Sequence, residues 1–199
     1  MIVRHILCVV LLATLSAAQQ TPPPASGTQA IYAAQAGSAQ NKFAYIHENG
    51  AKAKPDPTPT TLRENEINAW LSSGQAQLPT GVKKLQFQGE PDVINATALV
   101  DFDEITANQK SHNPLLSLFS GTHRIEARAK AQGTAGQGQV HIQSVSLDGV
   151  EIPRMALEFF IDRYIKPRHP EIGLDTVFKL PSRIDTAIVG SHQLTVTQK

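Results

Sequence analysis

Alternation of apolar and polar side chains is the feature that most constrains this chain. Between residues 94 and 102, and again between 125 and 132, apolar residues recur at every second position, with polar residues at most positions between them. Successive side chains of a β-strand point to opposite faces, so such a segment buries one face and exposes the other to solvent. Parallel strands are usually covered on both faces, so this pattern predicts an antiparallel sheet.

The predicted inward face of this sheet is built largely from small side chains. It comprises Ile94, Ala96, Ala98, Val100, Phe102, Ile125, Ala127, Ala129 and Ala131. Protein interiors contain few voids, so these residues call for either a helix packed very close to the sheet or an apolar guest in a groove. Leu115 and Phe119, in the apolar segment 113–120, would form the lip of such a groove or a plug of core.

The remaining strands are predicted to form hairpins. The apolar residues at 140 and 142 share one parity and those at 145 and 147 take the other, which indicates a β-bulge near Ser144. Asp148-Gly149 is a strong two-residue hairpin signal. A Gly190-Ser191 turn is predicted inside a closing hairpin that spans residues 184–196.

Two helices are predicted with the sheet. The shorter begins at a capping box formed by Thr61 and Glu64 and runs through Leu71. The longer covers residues 153–165, begins at Pro153 and ends before Pro167. The fold class is therefore α+β, a curved antiparallel β-sheet packed against one long helix and a shorter N-terminal helix.

The helix at 153–165 is apolar on more than one side. Phe160 and Tyr164 belong to a stripe that suits packing on a sheet, but Met155 and Phe159 fall on the opposite side. This extra pair needs a second partner. The candidates are the N-terminal segment, another protein, a lipid or a membrane surface.

The N-terminal region is predicted to lie outside the folded domain. Residues 1–18 combine a short basic start, an apolar stretch and small residues, as in a cleaved secretory signal, with an uncleaved anchor as the alternative. Residues 19–59 are expected to be a disordered or weakly helical leader and a Pro-rich linker, and 60–199 the α+β domain. The protein is then secreted or periplasmic, and its oligomeric state stays open.

Composition and motifs argue against several function classes. A net charge of +1 gives no basic surface for nucleic acid, and the single cysteine, Cys8, lies in the predicted signal. The histidines are scattered without paired ligands, so neither a metal nor any cofactor is expected. Asp101 and Asp103 share a strand face, which admits a hydrolase but is more typical of a solvated strand.

The order of these segments resembles a known family. The segments TLRENEINAWL, LPTGVKKLQFQGEPDVINATALVDFD and PRMALEFFIDRYI follow the helix and strand order of small secreted LmeA-type and YceB-type proteins, relatives of the tubular lipid-binding (TULIP) superfamily. The resemblance covers residues 61–198 and implies a curved antiparallel sheet around a long helix that holds apolar ligands. It implies no catalytic residues. About 140 residues would make only a minimal version of that fold.

We expect an exported, non-enzymatic protein that binds a lipid or other apolar molecule between the sheet and a helix, with peripheral membrane contact as a further possibility. One wall would be the sheet face and the other Met155, Phe159, Phe160 and Tyr164. The alternative is a structural or protein-interaction module of the cell envelope with a filled core. A hydrolase that uses Asp101 or Asp103 is the third hypothesis.

Overall fold

A computed structural model of the chain describes residues 27–107, 120–166 and 173–199. The predictions for residues 1–18, Leu115 and Phe119 lie outside these ranges. The predicted α+β class with an antiparallel sheet is confirmed. In the described residues, nine antiparallel strands form one open sheet, accompanied by a long N-terminal helix and several short helices.

The elements follow one another in a simple order. The helices are α1 (Gly27–Ala51), α2 (Glu64–Ser72), α3 (Phe102–Ala107) and α4 (Arg154–Phe160), and α4 continues as a π-helical turn (Ile161–Ile165). The strands are β1 (Thr60–Arg63), β2 (Val82–Glu90), β3 (Val93–Asp101), β4 (Thr122–Thr134), β5 (Gln137–Leu147), β6 (Val150–Glu151), β7 (Asp175–Lys179), β8 (Ile184–Gly190) and β9 (Gln193–Gln198).

The sheet branches at β4. Its strands run in the order β1-β9-β8-β4-β3-β2, while β5 pairs with β4 and carries β6 and β7 on its other edge. The predicted bulge is confirmed, because the β4–β5 register shifts where Arg128 pairs with Ser144 and Ala129 with Ile142. The Asp148-Gly149 turn joins β5 to β6 with both residues at positive φ. The closing hairpin is also present, but its two-residue turn is Ser191-His192 rather than the predicted Gly190-Ser191, because Gly190 pairs with Gln193.

The longest helix is α1, upstream of the predicted domain start at residue 60. The residues it buries recur every three or four positions, so one stripe faces the core. They are Ala36, Ala39, Phe43, Ile46 and Asn49. The fold therefore includes residues 27–51, for which the sequence predicts only a disordered or weakly helical leader.

The main core lies between α1, α2 and the β1-β9-β8 end of the sheet. Its buried members are Ala39, Phe43, Ile46, Leu62, Trp70, Leu71, Ala76, Ile184 and Val196. Phe43 meets Trp70 edge to face with ring centroids 4.8 Å apart. The indole N–H of Trp70 donates to Gln40 Oε1 at 2.7 Å, so its polar atom is also satisfied.

The start of α2 differs from the prediction. Thr61 lies in β1, where it pairs with Thr195, and the helix begins at Glu64. The carboxylate that closes the first turn belongs to Glu66, which accepts the Arg63 backbone N–H at 2.8 Å. The predicted capping box at Thr61 is wrong because pairing with β9 holds that residue in an extended conformation.

The second predicted helix is shorter than expected. α4 spans seven residues, begins after Pro153 as predicted, and passes into the π-helical turn before Pro167. It makes its main contacts with that turn rather than with a strand of the described sheet. The expectation that the long helix of the fold would be residues 153–165 is wrong, because α1 takes that role.

Candidate functional site

The predicted apolar sheet face is assembled by the strand register. Residues directly opposite each other on neighbouring strands point to the same face. One row across β2, β3, β4 and β5 reads Phe87, Ala96, Ala127 and Val145, and the next reads Leu85, Ala98, Ile125 and Leu147. A third row places Ile94, Ala129 and Ile142 side by side. In the first row, two alanines lie between larger side chains, so the centre of the face is lower than its flanks.

One end of this face belongs to the main core. Gly133 on β4 pairs with Ala187 on β8, and Ala187 pairs with Val196 on β9, so these residues share the face of the β3–β4 alanines. The helices α1 and α2 pack chiefly against β1, β9 and β2. Towards β3, β4 and β5 the face residues become half-buried. The register therefore divides the face into a part under the helices and a partly open apolar part.

The sequence-predicted residues of the first wall are found together, with one exception. Ile94, Ala96, Ala98, Ala127 and Ala129 are half-buried neighbours on this face, and Val100 is buried at its end. Phe102 was expected to continue β3, but it is the first residue of α3. The strand ends at Asp101 because the Asp101 carboxylate accepts the backbone N–H groups of Asp103 and Glu104 and so caps the helix.

The predicted second wall is only partly described. Met155 is 81% exposed and Phe159 is 59% exposed, one helical turn apart on α4. Phe160, on another side of the helix, is half-buried. The side chain of Tyr164 and the predicted lip residues Leu115 and Phe119 lie outside the described part of the chain. The predicted place of Met155 and Phe159 opposite a sheet-facing stripe stays a prediction, because α4 makes its main contacts with the π-helical turn and Ala156 of that stripe is exposed as well.

A histidine closes the far end of the apolar face. His123 lies opposite Val100, and its ring meets Phe102 edge to face at 5.6 Å. Its Nδ1 lies 2.6 Å from Asp148 Oδ2, and its Nε2 lies 3.0 Å from the Ser120 carbonyl oxygen. The hydrogen bond to Asp148 raises the pKa of His123 and lowers that of Asp148. This end of the face is therefore polar and held in place by the β5–β6 turn.

The opposite face of the same strands is polar. Arg128 makes two hydrogen bonds to the Glu90 carboxylate, at 2.9 and 3.1 Å, and a third to Asn95 at 2.9 Å. The hydrogen bond from Arg128 lowers the pKa of Glu90. Such cross-strand pairs stabilise a solvated sheet surface. The sheet thus has one apolar and one charged face along β3 and β4, as the alternation predicts.

The carboxylates considered for hydrolysis have local partners. Asp101 caps α3, and Asp103 Oδ2 accepts the Gly121 backbone N–H at 3.0 Å. Lys83 also pairs with Asp101 at 3.8 Å. These contacts fix the turn from β3 into α3, which accounts for the acidic residues at this strand end.

A second feature is an open cleft of about 410 Å³ that the sequence did not indicate. It lies between the start of α2 and the β8–β9 turn, lined by Arg63, Glu64, Asn65, Ser191, His192 and Gln193. Glu64 Oε2 lies 2.8 Å from His192 Nδ1 and accepts the Gly89 backbone N–H at 3.0 Å. The two ionisable side chains are separated by 128 positions, so no local motif could have linked them.

Potential metal ligands do not gather in threes anywhere in residues 27–107, 120–166 and 173–199. Within the same residues, no helix has both the length and the apolar character needed to cross a membrane. Comparison with known proteins gives no match to a family model, a curated protein or a solved structure. The resemblance to the tubular lipid-binding superfamily therefore stays a prediction.

Proposed function

We propose that the protein is an exported, non-enzymatic binder of a lipid or other apolar molecule, held on the partly open half of the sheet face. The observation that carries the proposal is the row Phe87, Ala96, Ala127 and Val145, in which two alanines leave a depression between larger apolar side chains. An acyl chain fits such a depression because it needs apolar area and no hydrogen-bond partners.

The energetics favour a long apolar guest. Each buried methylene contributes about 0.8 kcal/mol, so ten methylenes contribute about 8 kcal/mol before the cost of ordering the ligand. The exposed Met155 and Phe159, on the helix that follows β6, offer further apolar area for the same guest. A headgroup would remain in water, which agrees with the absence of a charge at the centre of this face.

Filling the depression tests the proposal. Ala127→Trp places an indole where the guest would lie, and we expect the affinity for a fluorescent fatty acid to fall at least about tenfold, a loss of roughly 1.4 kcal/mol or more. Lys130→Trp is the matched control, because this exposed residue lies on the same strand and the opposite face. Circular dichroism and urea unfolding show whether each variant is folded.

Native mass spectrometry of the purified protein provides an independent measurement. Co-purified lipid that is lost in Ala127→Trp and retained in Lys130→Trp supports the proposal. A folded Ala127→Trp variant that binds fatty acid as tightly as the wild type contradicts it. If that variant does not fold, Ala96→Val, which removes less space at the neighbouring position, replaces it.

A second candidate function is a protein-interaction module of the cell envelope. The specific observation in its favour is the pair Met155 and Phe159, because large apolar side chains exposed one turn apart are typical of helix faces that bind a partner. The double variant Met155→Ser, Phe159→Ser separates the candidates. Weaker fatty-acid uptake assigns the pair to the ligand site, whereas unchanged uptake shows that the ligand does not need it and leaves the pair available for docking.

A further inference from the structure

The strand β7 has one edge that no other strand of residues 27–107, 120–166 and 173–199 pairs with. In the described part of the chain it pairs with β5 alone, in a register that sets Gly138 opposite Phe178 and Gln139 opposite Val177. Phe178 packs directly on Gly138, where a Cβ atom would lie 2.5 Å from the ring. Val177 points to the other face and is 61% exposed. The inner edge of β7 is thus paired with β5, while its outer edge is unpaired among the residues that the structure describes.

The alternation of hydrogen bonds along β7 shows which backbone groups point away from β5. The Leu180 N–H donates to the Gly136 carbonyl at 2.8 Å, just after β7. The Ile142 N–H donates to the Leu174 carbonyl at 2.7 Å, just before it. Alternate residues of an antiparallel strand bond to the same neighbour, so the even-numbered residues of β7 face β5. The N–H and C=O groups of the odd-numbered residues therefore point outwards.

These outward-facing residues have a self-complementary charge pattern. They are Asp175, Val177 and Lys179, with opposite charges two positions on either side of the valine. If two such strands meet antiparallel with Val177 opposite Val177, each Asp175 lies opposite the Lys179 of the other copy. A parallel arrangement would set like charges side by side, which is unfavourable.

The same antiparallel register satisfies the backbone. Directly opposite residues exchange both N–H···O bonds at alternate positions, and the register centred on Val177 gives those positions to the three outward-facing residues. A two-fold axis through the valine pair relates the two copies, as in most homodimers. The charge pattern and the alternation of hydrogen bonds thus both favour the antiparallel pairing centred on Val177.

We propose that β7 pairs with β7 of a second copy of this chain, antiparallel and centred on Val177, so that one sheet runs through both molecules. Asp175 already contacts His141 and Arg154 within its own chain, but its side chain remains 65% exposed and within reach of a further lysine. Arg154 begins α4, so this helix lies next to the seam. This proposal does not depend on ligand binding.

Blocking the open edge tests the pairing. Val177→Pro removes an outward N–H and leaves the ladder to β5 intact, because proline is tolerated on edge strands. Lys179→Glu places a carboxylate opposite Asp175 of the other copy, and the two-fold axis repeats this repulsion at a second contact. Sedimentation equilibrium of the purified protein should show the wild-type mass rising towards twice that of one chain with concentration, and a Kd at least about tenfold weaker in each variant.

Two controls make the result specific. Lys84→Glu changes the charge equally at an exposed residue of β2, and its dimer should match the wild type. Adding Asp175→Lys to Lys179→Glu exchanges the charges and should restore association. A wild type that stays monomeric up to about 1 mM overturns the proposal. A folded Lys179→Glu variant that associates as strongly as the wild type also overturns it.

Discussion

Glu66 is a nearly buried carboxylate that joins α1 to α2. Its oxygens accept from Lys42 Nζ at 2.6 and 2.8 Å, from Ser38 Oγ at 2.7 Å and from the Arg63 backbone N–H at 2.8 Å. Burial alone would raise the pKa of Glu66, but these hydrogen bonds outweigh it and bring the pKa below its ordinary value of 4.5. The Glu66 carboxylate is therefore ionised more readily in the folded state than in the unfolded state.

This shift predicts a loss of stability in acid. Because the folded-state pKa of Glu66 is depressed, its contribution is present above the unfolded-state pKa and is lost as the pH falls through the folded value. We expect Glu66→Gln to lower the free energy of unfolding at pH 7 by about 1–3 kcal/mol and to flatten its decline below pH 4.5. Urea unfolding monitored by circular dichroism at pH 7 and pH 3 measures both effects.

Glu48→Gln is the control for this prediction, because Glu48 is exposed on α1 and the variant changes the charge equally. It should retain the acid sensitivity of the wild type. A Glu66→Gln variant that loses as much stability as the wild type between the two pH values contradicts the assignment.

Local sequence could not identify Glu66 as the important carboxylate. Thr61 with Glu64 and Arg63 with Glu66 have the same spacing, and the first pair has the better side chain for a cap. The actual helix start depends on the pairing of β1 with β9 and on Lys42, which lies 24 positions upstream of Glu66. Both determinants are tertiary.

At the scale of elements, α1 was the hardest to foresee. Its buried stripe contains two alanines and one asparagine, while Ile31, Tyr32 and Tyr45 are exposed. The contrast between its faces is therefore weak, although alanine is the best helix former. In α4 the reverse holds, because a strongly apolar segment forms a helix whose Met155 and Phe159 remain exposed.

The packing of α1 leads to a prediction about Phe43. This side chain is 5% exposed and contacts Trp70, so Phe43→Ala leaves a cavity between α1 and α2. We expect a loss of about 3–4 kcal/mol in the free energy of unfolding, measured by urea denaturation. Tyr32→Ala on the same helix is the control, because Tyr32 is 59% exposed and its truncation should change stability by less than about 0.5 kcal/mol.

If the two variants lose equal stability, α1 does not contribute its apolar stripe to the core. A small loss in Phe43→Ala would support the original expectation that the folded unit begins near residue 60.

On the scale of the whole molecule, one buried polar cluster ties the first helix to the last strand. Asn49 Nδ2 donates to Gln198 Oε1 at 2.8 Å and to the Asp56 carbonyl at 2.9 Å, while its Oδ1 accepts the Asp56 N–H at 2.8 Å. Gln198 in turn donates to the carbonyls of Ile46 and Ser182. Asn49 is fully buried, so every polar atom of its amide must be satisfied by protein.

Removing this amide should be costly. Asn49→Ala leaves Gln198 Oε1 and both backbone groups of Asp56 without the hydrogen bonds that the amide supplies, and we expect stability to fall by about 2–3 kcal/mol. Asn41→Ala is the matched control, because Asn41 is exposed on the same helix and alanine favours the helical state. Thermal unfolding of both variants provides the comparison. A stability of Asn49→Ala within about 0.5 kcal/mol of the wild type contradicts the role of the cluster.

The sheet could be predicted well and its assembly could not. Period-2 alternation identifies the strands, the parity change identifies the bulge at Ser144, and a glycine turn identifies the β5–β6 hairpin. The pairing of β1 with β9 and of β4 with β8 joins segments distant in sequence. No local sequence pattern predicts which of these strands pair. The candidate site follows this division, since its sheet face was predicted and the position of α4 was not.

The cluster around Asn49 also sets the order in which the chain can fold. Asn49 and its partner Gln198 are separated by 149 positions, and synthesis proceeds from the N-terminus. The apolar stripe of α1 leaves the ribosome long before β8 and β9 can cover it. Contacts of such long range form late and slowly. Until translation has passed residue 198, Asn49 lacks the side chain that satisfies its amide, and the apolar stripe of α1 lacks the strands that cover it.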